Sequence, residues 1–384
     1  MPDIGTTAPS PPRTPPHKRA PKPKPPNPIE SAIRTWFATL PSPLLASLPF
    51  TLSTLLASSP KRWVVYPPLV LLPSGSFHSP NWTSLTPHLS TLWPLILAQI
   101  STREGKGALT HLAINAGIPL STPDDGEAEN ILRSPSGLIF LHGDFGPEIE
   151  KGREPSARDF QEAFWVSSKQ NGIVQVWAPR YTMFSRGNVT EKARLLGFRD
   201  YAQVMTAVDL YAGIGYFVFS YVAIGTRRVL GWELNPWSVE GLRRGAAANG
   251  WEVKVVRPGE EWNGVGTERI VVFLEDNRNA ERRVEGVKAL GSIRHINCGL
   301  LPTSEASWKM ALRILNADGW LHLHENVGAK DVVKRGEEIK EILRTELEKG
   351  KAGRELKIEH IETVKSFAPG VFHIVYDVYV STKT

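Results

Sequence analysis

The chain has 384 residues, 41% of them hydrophobic, and a formal net charge of +6 at pH 7. Its length supports at least one large core and predicts two domains, while its single cysteine, Cys298, excludes an internal disulfide and a metal site built from cysteines. No apolar run is long enough to cross a bilayer and none opens the chain as a signal segment, so a cytoplasmic monomer is expected; the basic balance fits RNA as a partner, or a basic tail with no role.

From Met1 to about Pro28 the chain is dense in proline, with Arg13, Lys18, Arg19, Lys22 and Lys24 interspersed. So little apolar surface cannot offset the entropy of ordering, and disorder is predicted for residues 1–28. Beyond Ser31, Ile33, Trp36, Phe37 and Leu40, then Leu44, Leu45, Leu48, Leu52 and Leu55, follow helical spacing broken by Pro41, Pro43 and Pro49, which predicts short helices packed on a larger unit. Strand-like runs come next at 63–66, 69–72, 110–115, 138–141, 164–166 and 173–177. Asn171-Gly172 between the last two is a hairpin signal. A small, mostly antiparallel α+β module with a connecting strap is expected over residues 29–200.

The strap, Trp177 to Arg194, is polar for a segment joining two hydrophobic units. It reads either as a solvated linker and a helix capped by Asn188 or Thr190, or as a band carrying cations and hydroxyls over a cofactor pocket.

The stretch Ala207-Val208-Asp209 ends an apolar run in an acid, and Gly213 and Gly215 then turn the chain into a helical pattern at Phe217 to Val222. A second strand-like run, 228–232, leads to Glu233, and Asn235-Pro236 opens the next helix. The glycines let a ligand approach the backbone, the helix start offers free amides, and Glu233 can accept both hydroxyls of a ribose. A nicotinamide dinucleotide fold uses the same arrangement. Two details favour S-adenosylmethionine: the third glycine of the dinucleotide turn is absent, and Asp209 can face an ammonium but would repel a pyrophosphate.

Strands and helices then alternate, the pattern of a parallel sheet covered on both faces. Either 252–256 or 269–274 supplies the third strand; the second is preferred, because it leads into Glu275-Asp276-Asn277-Arg278, where Asp276 or Asn277 can bind adenine or simply cap a helix. Strands at 293–300 and 320–324 and helices at 305–315 and 331–347 follow, the last helix with pairs such as Glu337 to Lys340 along its outside. His322 and His324 share one strand face and read as a surface pair, so no metal site is expected. Two final strands near 356–364 and 371–380 form a hairpin. Residues 201–384 are therefore predicted as an α/β domain with a class I S-adenosylmethionine-dependent methyltransferase-like (Rossmann-like) seven-stranded sheet.

Four motifs, Thr182 to Asn188 through Glu191-Lys192, Asp209 to Phe217, Glu275 to Arg278, and Gly299-Leu300-Leu301-Pro302-Thr303-Ser304-Glu305, together resemble the tRNA wybutosine-synthesizing protein 2 family, which is similar in fold to the tRNA guanine-37 N1-methyltransferases. The likeness covers roughly Thr110 to Thr384. Where the methyltransferase branch carries an Asn-Pro-Pro-like or Asn-Leu-Pro loop, this chain has Asn297-Cys298-Gly299-Leu300-Leu301-Pro302, a departure that favours the wybutosine branch. The resemblance implies transfer of the 3-amino-3-carboxypropyl group of S-adenosylmethionine, the co-substrate, to C7 of 4-demethylwyosine at position 37 of tRNA(Phe). It implies cofactor contacts from Ser185, Lys192, Glu233, Asp276 and Asn277 beside Asp209, Gly213 and Gly215. Arg180, Arg186, Arg194 and Arg199 are candidates for phosphates of the tRNA, or equally for solubilising charge. Methylation of guanine 37 on the same scaffold and tRNA binding without turnover are the alternatives.

Overall fold

The computed structural model describes residues 25–115, 137–150, 152–198, 205–350 and 353–383. Arg199, the expected domain boundary at about residue 200, and all but the last residues of the proline-rich tail lie outside them. Among the described residues no helix is long and apolar enough to cross a membrane.

The N-terminal part opens with a helix, Pro28–Phe37, whose first amides are met by Asn27: its Oδ1 accepts from Ile29 N–H at 2.9 Å. The helix buries Ile29, Ile33 and Trp36 against the longer helix Leu92–Glu104. Beneath them lies a sheet of four short strands in the order β1 (Val64–Tyr66), β2 (Leu69–Leu72), β3 (His111–Ile114) and β4 (Ile139–His142). Two of its three pairings are antiparallel, as expected, but β2 and β3 run parallel because the helix Leu92–Glu104 lies on the crossover between them. β5 (Val166–Gln170) and β6 (Ile173–Trp177) form a separate ribbon. Its turn has φ values of 51° at Asn171 and 83° at Gly172, the left-handed pair that a two-residue hairpin requires. Asn249 clamps the ribbon to the C-terminal part, accepting Val174 N–H at 2.9 Å and donating to Val174 C=O at 2.7 Å.

The C-terminal part is an α/β unit around one large sheet. Its strands are β7 (Met205–Asp209), β8 (Arg228–Trp232), β9 (Val253–Val256), β10 (Ile270–Phe273), β11 (Ser292–Cys298), β12 (Gly319–Gly328), β13 (Arg354–Ala368) and β14 (Val371–Thr382). They lie in the order β13-β14-β12-β11-β7-β8-β10-β9, parallel except for β14, which runs against both its neighbours. The sheet has eight strands rather than seven. Both candidates for the third strand are strands: β10 lies beside β8 and reaches the site, and β9 adds an outer edge in register with it. β7, β8 and β10 are buried along their whole length, as strands covered on both faces must be. The order reverses between β7 and β11, so the crevice at their carboxyl ends is where such a sheet takes a ligand.

Candidate active site

Asp209 ends β7 and is fully buried. Its Oδ1 accepts from Tyr211 N–H and Asn297 Nδ2, both at 3.1 Å, while Oδ2 is buried with no hydrogen-bond partner among the described residues. Burial raises its carboxyl to about 6, with those two donors and the Val218 N–H pulling the other way. The turn that follows needs its glycines. Gly213 and Gly215 have φ values of 54° and 90°, and a Cβ on Gly215 would come within 2.6 Å of the Phe219 ring.

The turn is tied to the next strand by Glu233, just beyond β8. Gly213 N–H donates to its Oε2 and Asn235 N–H to its Oε1, each at 2.8 Å. Each oxygen keeps a lone pair for a further donor. Burial pushes this carboxyl up to about 7, and the nearby charge of Asp209 adds to the rise. Asn235 also starts the next helix, its Oδ1 accepting from Trp237 N–H at 2.9 Å, which fixes the backbone under the glutamate. Asn277 reaches the same crevice from β10 and donates through Nδ2 to Leu210 C=O at 2.8 Å. Asp276 beside it caps the turn that follows and pairs with Arg278 at 2.7 Å.

Ser185 and Lys192 arrive from the strap. Tyr216, in the glycine turn, holds that strap: its hydroxyl donates to Met183 C=O at 2.6 Å and accepts from Ser185 N–H at 3.0 Å. Lys192 is buried on the helix Val189–Leu195, donating to Gln170 Oε1 at 2.5 Å and Gln175 Oε1 at 2.7 Å, with no carboxylate beside it among the described residues. Its ammonium lies 5.6 Å from the centre of the Tyr216 ring, and burial lowers it to about 8. Gly213 is thus bonded to Glu233, and Asn277 to the backbone just after Asp209, while Ser185 and Lys192 reach the glycine turn through Tyr216. Tyr216→Phe should leave Met183 C=O and Ser185 N–H unmatched, at about 1 kcal/mol for each lost hydrogen bond. Hydrogen exchange over residues 183–187 should quicken and KM for the cofactor should rise several-fold; unchanged exchange would remove Tyr216 from this role.

Two expectations are corrected. Arg194 does not face outward to meet phosphates: its guanidinium is held by Glu191, at 2.8 Å, and by Asp377. Nor are His322 and His324 a surface pair. Both are buried, because β12 lies inside the sheet and Phe198 covers His322 while Phe217 covers His324. His322 shares hydrogen bonds with Asp377 Oδ1 at 2.7 Å and His295 at 3.0 Å, and His324 with His373 at 2.9 Å and Asn297 Oδ1 at 3.1 Å. Burial works to raise the Asp377 carboxyl, but His322 and Arg194 outweigh it and hold it at about 2. Among the described residues no group of three or more His, Cys, Asp or Glu side chains is arranged to hold a metal ion. Of the other candidate cations, Arg180 lies over the Phe140 ring at 4.4 Å and 3.5 Å from Glu148, while Arg186 is exposed.

Sequence reasoning missed Asn297 as a site residue. It spans Asp209 and His324 and so orients the free carboxylate oxygen of Asp209. The available signal was an asparagine ending the strand next to the one that ends in Asp209.

Two carboxylates with no cation between them make the crevice an anionic well. Such a well repels a pyrophosphate and suits a nucleoside that carries a sulfonium and an ammonium against a single carboxylate. With the strand order, this places the chain among the class I S-adenosylmethionine-dependent transferases. Residues 167–349 match the family described as the TRM5/TYW2 methyltransferase domain. The chain belongs to the tRNA wybutosine-synthesizing protein 2 family: it is 46% identical over 323 residues to the Schizosaccharomyces pombe protein of that name, covering 83% of this chain and 72% of that one. It is 34% identical over 382 residues to the Saccharomyces cerevisiae protein of the same name, covering 88% of this chain and 78% of that one. The solved structure of P. horikoshii TYW2 in complex with MeSAdo matches with a TM-score of 0.58 over 93% of this chain and 100% of that one, at 19% identity, which is a likeness of fold.

Proposed function

We propose that this chain moves the 3-amino-3-carboxypropyl group of S-adenosylmethionine to C7 of 4-demethylwyosine at position 37 of tRNA(Phe), and so takes the anticodon loop as its RNA partner. The observation that carries this reading is the 46% identity with a relative named for wybutosine synthesis, along most of the length of both chains. S-adenosylmethionine supplies a sulfonium with three electrophilic carbons; C7 bonds to the carbon next to sulfur in the longest arm, the C–S electron pair stays on sulfur as methylthioadenosine leaves, and C7 loses its proton.

The residues of the chain orient and bind. Glu233, its carboxylate already aligned by two backbone amides, accepts the ribose hydroxyls. Asn277 meets the adenine, and the free Oδ2 of Asp209 meets the ammonium of the methionine portion. Lys192, a cation without an anion, is matched to the carboxylate of the same portion. Ammonium and carboxylate both sit at the end of the transferred arm, so holding them fixes the carbon next to sulfur in line with the base. Positioning of this kind supplies much of the rate of a displacement reaction.

The test uses two preparations of S-adenosylmethionine, one labelled in the methyl carbon and one in the carboxyl carbon, each incubated with the full chain and tRNA carrying 4-demethylwyosine. Carboxyl label should reach the RNA and methyl label should not. Methyl label in the RNA would make the chain a methyltransferase, and no label in either arm would leave it a binding protein.

A further inference from the structure

Beside the crevice, and sharing Ser185 with it, a cleft of about 700 Å³ opens between the N-terminal sheet and the strap, within the roughly 300–1,000 Å³ range of small-ligand sites. Arg62 and Trp63, just ahead of β1, form one wall; Phe184, Ser185 and Arg186 form the other, and Lys365 from β13 closes the end. Among the described residues no acidic one lines it. Arg62 is exposed and, among the described residues, makes no ion pair; the same holds for Arg186. Among the described residues Lys365 hydrogen-bonds only a hydroxyl, Ser185 Oγ at 3.3 Å, and burial lowers its ammonium, a cost that an anion beside it would reverse. Three cations facing one space with no carboxylate is an arrangement that stays together at a cost unless an anion enters.

Aromatic faces beside the cations narrow the choice of anion. Trp63 lines the same space, Phe184 opposite being already stacked on Trp177 at 4.5 Å, and the combination of basic side chains with an aromatic platform is how single-stranded nucleic acid is held. The cleft also communicates with the site of chemistry. Ser185 N–H is bonded to Tyr216, which stands in the glycine turn. We propose that this cleft receives a nucleotide of the substrate RNA adjoining the modified one, with its phosphate between Arg62, Arg186 and Lys365 and its base against Trp63. The inference rests on the tRNA transferase reading and gives the N-terminal sheet a part in it, since Arg62 and Trp63 lead directly into β1. A cleft shared between the two parts of the chain selects for an RNA that spans both.

Equilibrium binding of tRNA(Phe) to the full chain, measured over a range of KCl concentrations without S-adenosylmethionine, tests this. Arg62→Ala should weaken binding about 5- to 10-fold and reduce the slope of log K against log salt by about 0.7 to 0.9, the value of one lost phosphate contact. Arg62→Glu should weaken it further. Lys365→Ala should act like Arg62→Ala, with recovery in Lys365→Arg. Arg158→Ala, which removes a cation already paired with Glu162 on an exposed helix, should leave affinity and slope unchanged. The calorimetric Kd for S-adenosylmethionine should be the same in Arg62→Ala as in the parent chain, which separates this cleft from the cofactor site. Parent-like affinity and salt slope in both Arg62→Ala and Lys365→Ala would overturn the proposal while carboxyl transfer by the parent chain stood. Absence of carboxyl transfer by the parent would overturn the functional reading instead, and the binding series would still decide the cleft.

Discussion

Glu233→Ala should weaken S-adenosylmethionine binding by 100-fold or more and lower kcat/KM for the cofactor in step, with tRNA affinity unchanged. Two hydrogen bonds from ribose hydroxyls to a charged acceptor are lost, at about 1.5–3 kcal/mol each, and every 1.4 kcal/mol is tenfold. The loss has a second part inside the protein. Gly213 N–H and Asn235 N–H both point at this carboxylate, so removing it leaves two backbone donors unmatched and loosens the turn that approaches the ligand. Glu233→Gln should not rescue fully, because its amide would face an N–H donor with another donor. Calorimetry gives the affinity and filter binding the RNA control; a Glu233→Ala variant with parental kcat/KM would remove this residue from the ribose.

Why Glu233 was legible, and Asn297 was not, follows from the distance along the chain over which each acts. The acid, the glycine turn and the second acid belong to one β-α-β unit, so local spacing alone brings Asp209, Gly213 and Glu233 to one sheet edge. Asn297 meets Asp209 from a strand that enters the sheet far later. Lys365 meets Ser185 across most of the fold. The period-two pattern placed His322 and His324 on one face correctly but carried no information about what covers that face, because Phe198 and Phe217 come from segments well upstream. The same limit accounts for Arg194. A cation on a short polar helix looks solvated until a strand near the C-terminus brings Asp377 under it. Strand count failed for a different reason: β9 is short and lies at the edge, and it has the same composition whether or not it pairs.

Asp209→Asn should abolish the acid limb of cofactor binding. In the parent chain without ligand, burial lifts this carboxyl from 3.8 to about 6, so its charged form is held roughly 3 kcal/mol less favourably than that of a carboxyl in water. The sign follows from that direction. Because the folded value is raised, the neutral form stabilises the ligand-free chain below about pH 4, and that contribution is lost as pH rises through 6. An ammonium placed against the free Oδ2 reverses the preference and favours the charged form. The part of S-adenosylmethionine affinity that Asp209 supplies should therefore rise about tenfold per pH unit up to about 6 and flatten above it. Glu233 titrates nearby, at about 7, and each carboxyl feels the other, so the two inflections belong to the pair and only variants separate them. Asp209→Asn should bind at least 10-fold more weakly at pH 7.5 and lose the lower inflection, keeping the upper one. Glu233→Gln should do the opposite. The thermal midpoint supplies an independent check: stabilisation of the parent by saturating S-adenosylmethionine should be larger at pH 7.5 than at pH 5, and this difference should shrink in Asp209→Asn. Parental affinity that is flat from pH 5 to 8 would mean that no ammonium meets Asp209, and the arm would then be held from elsewhere in the crevice.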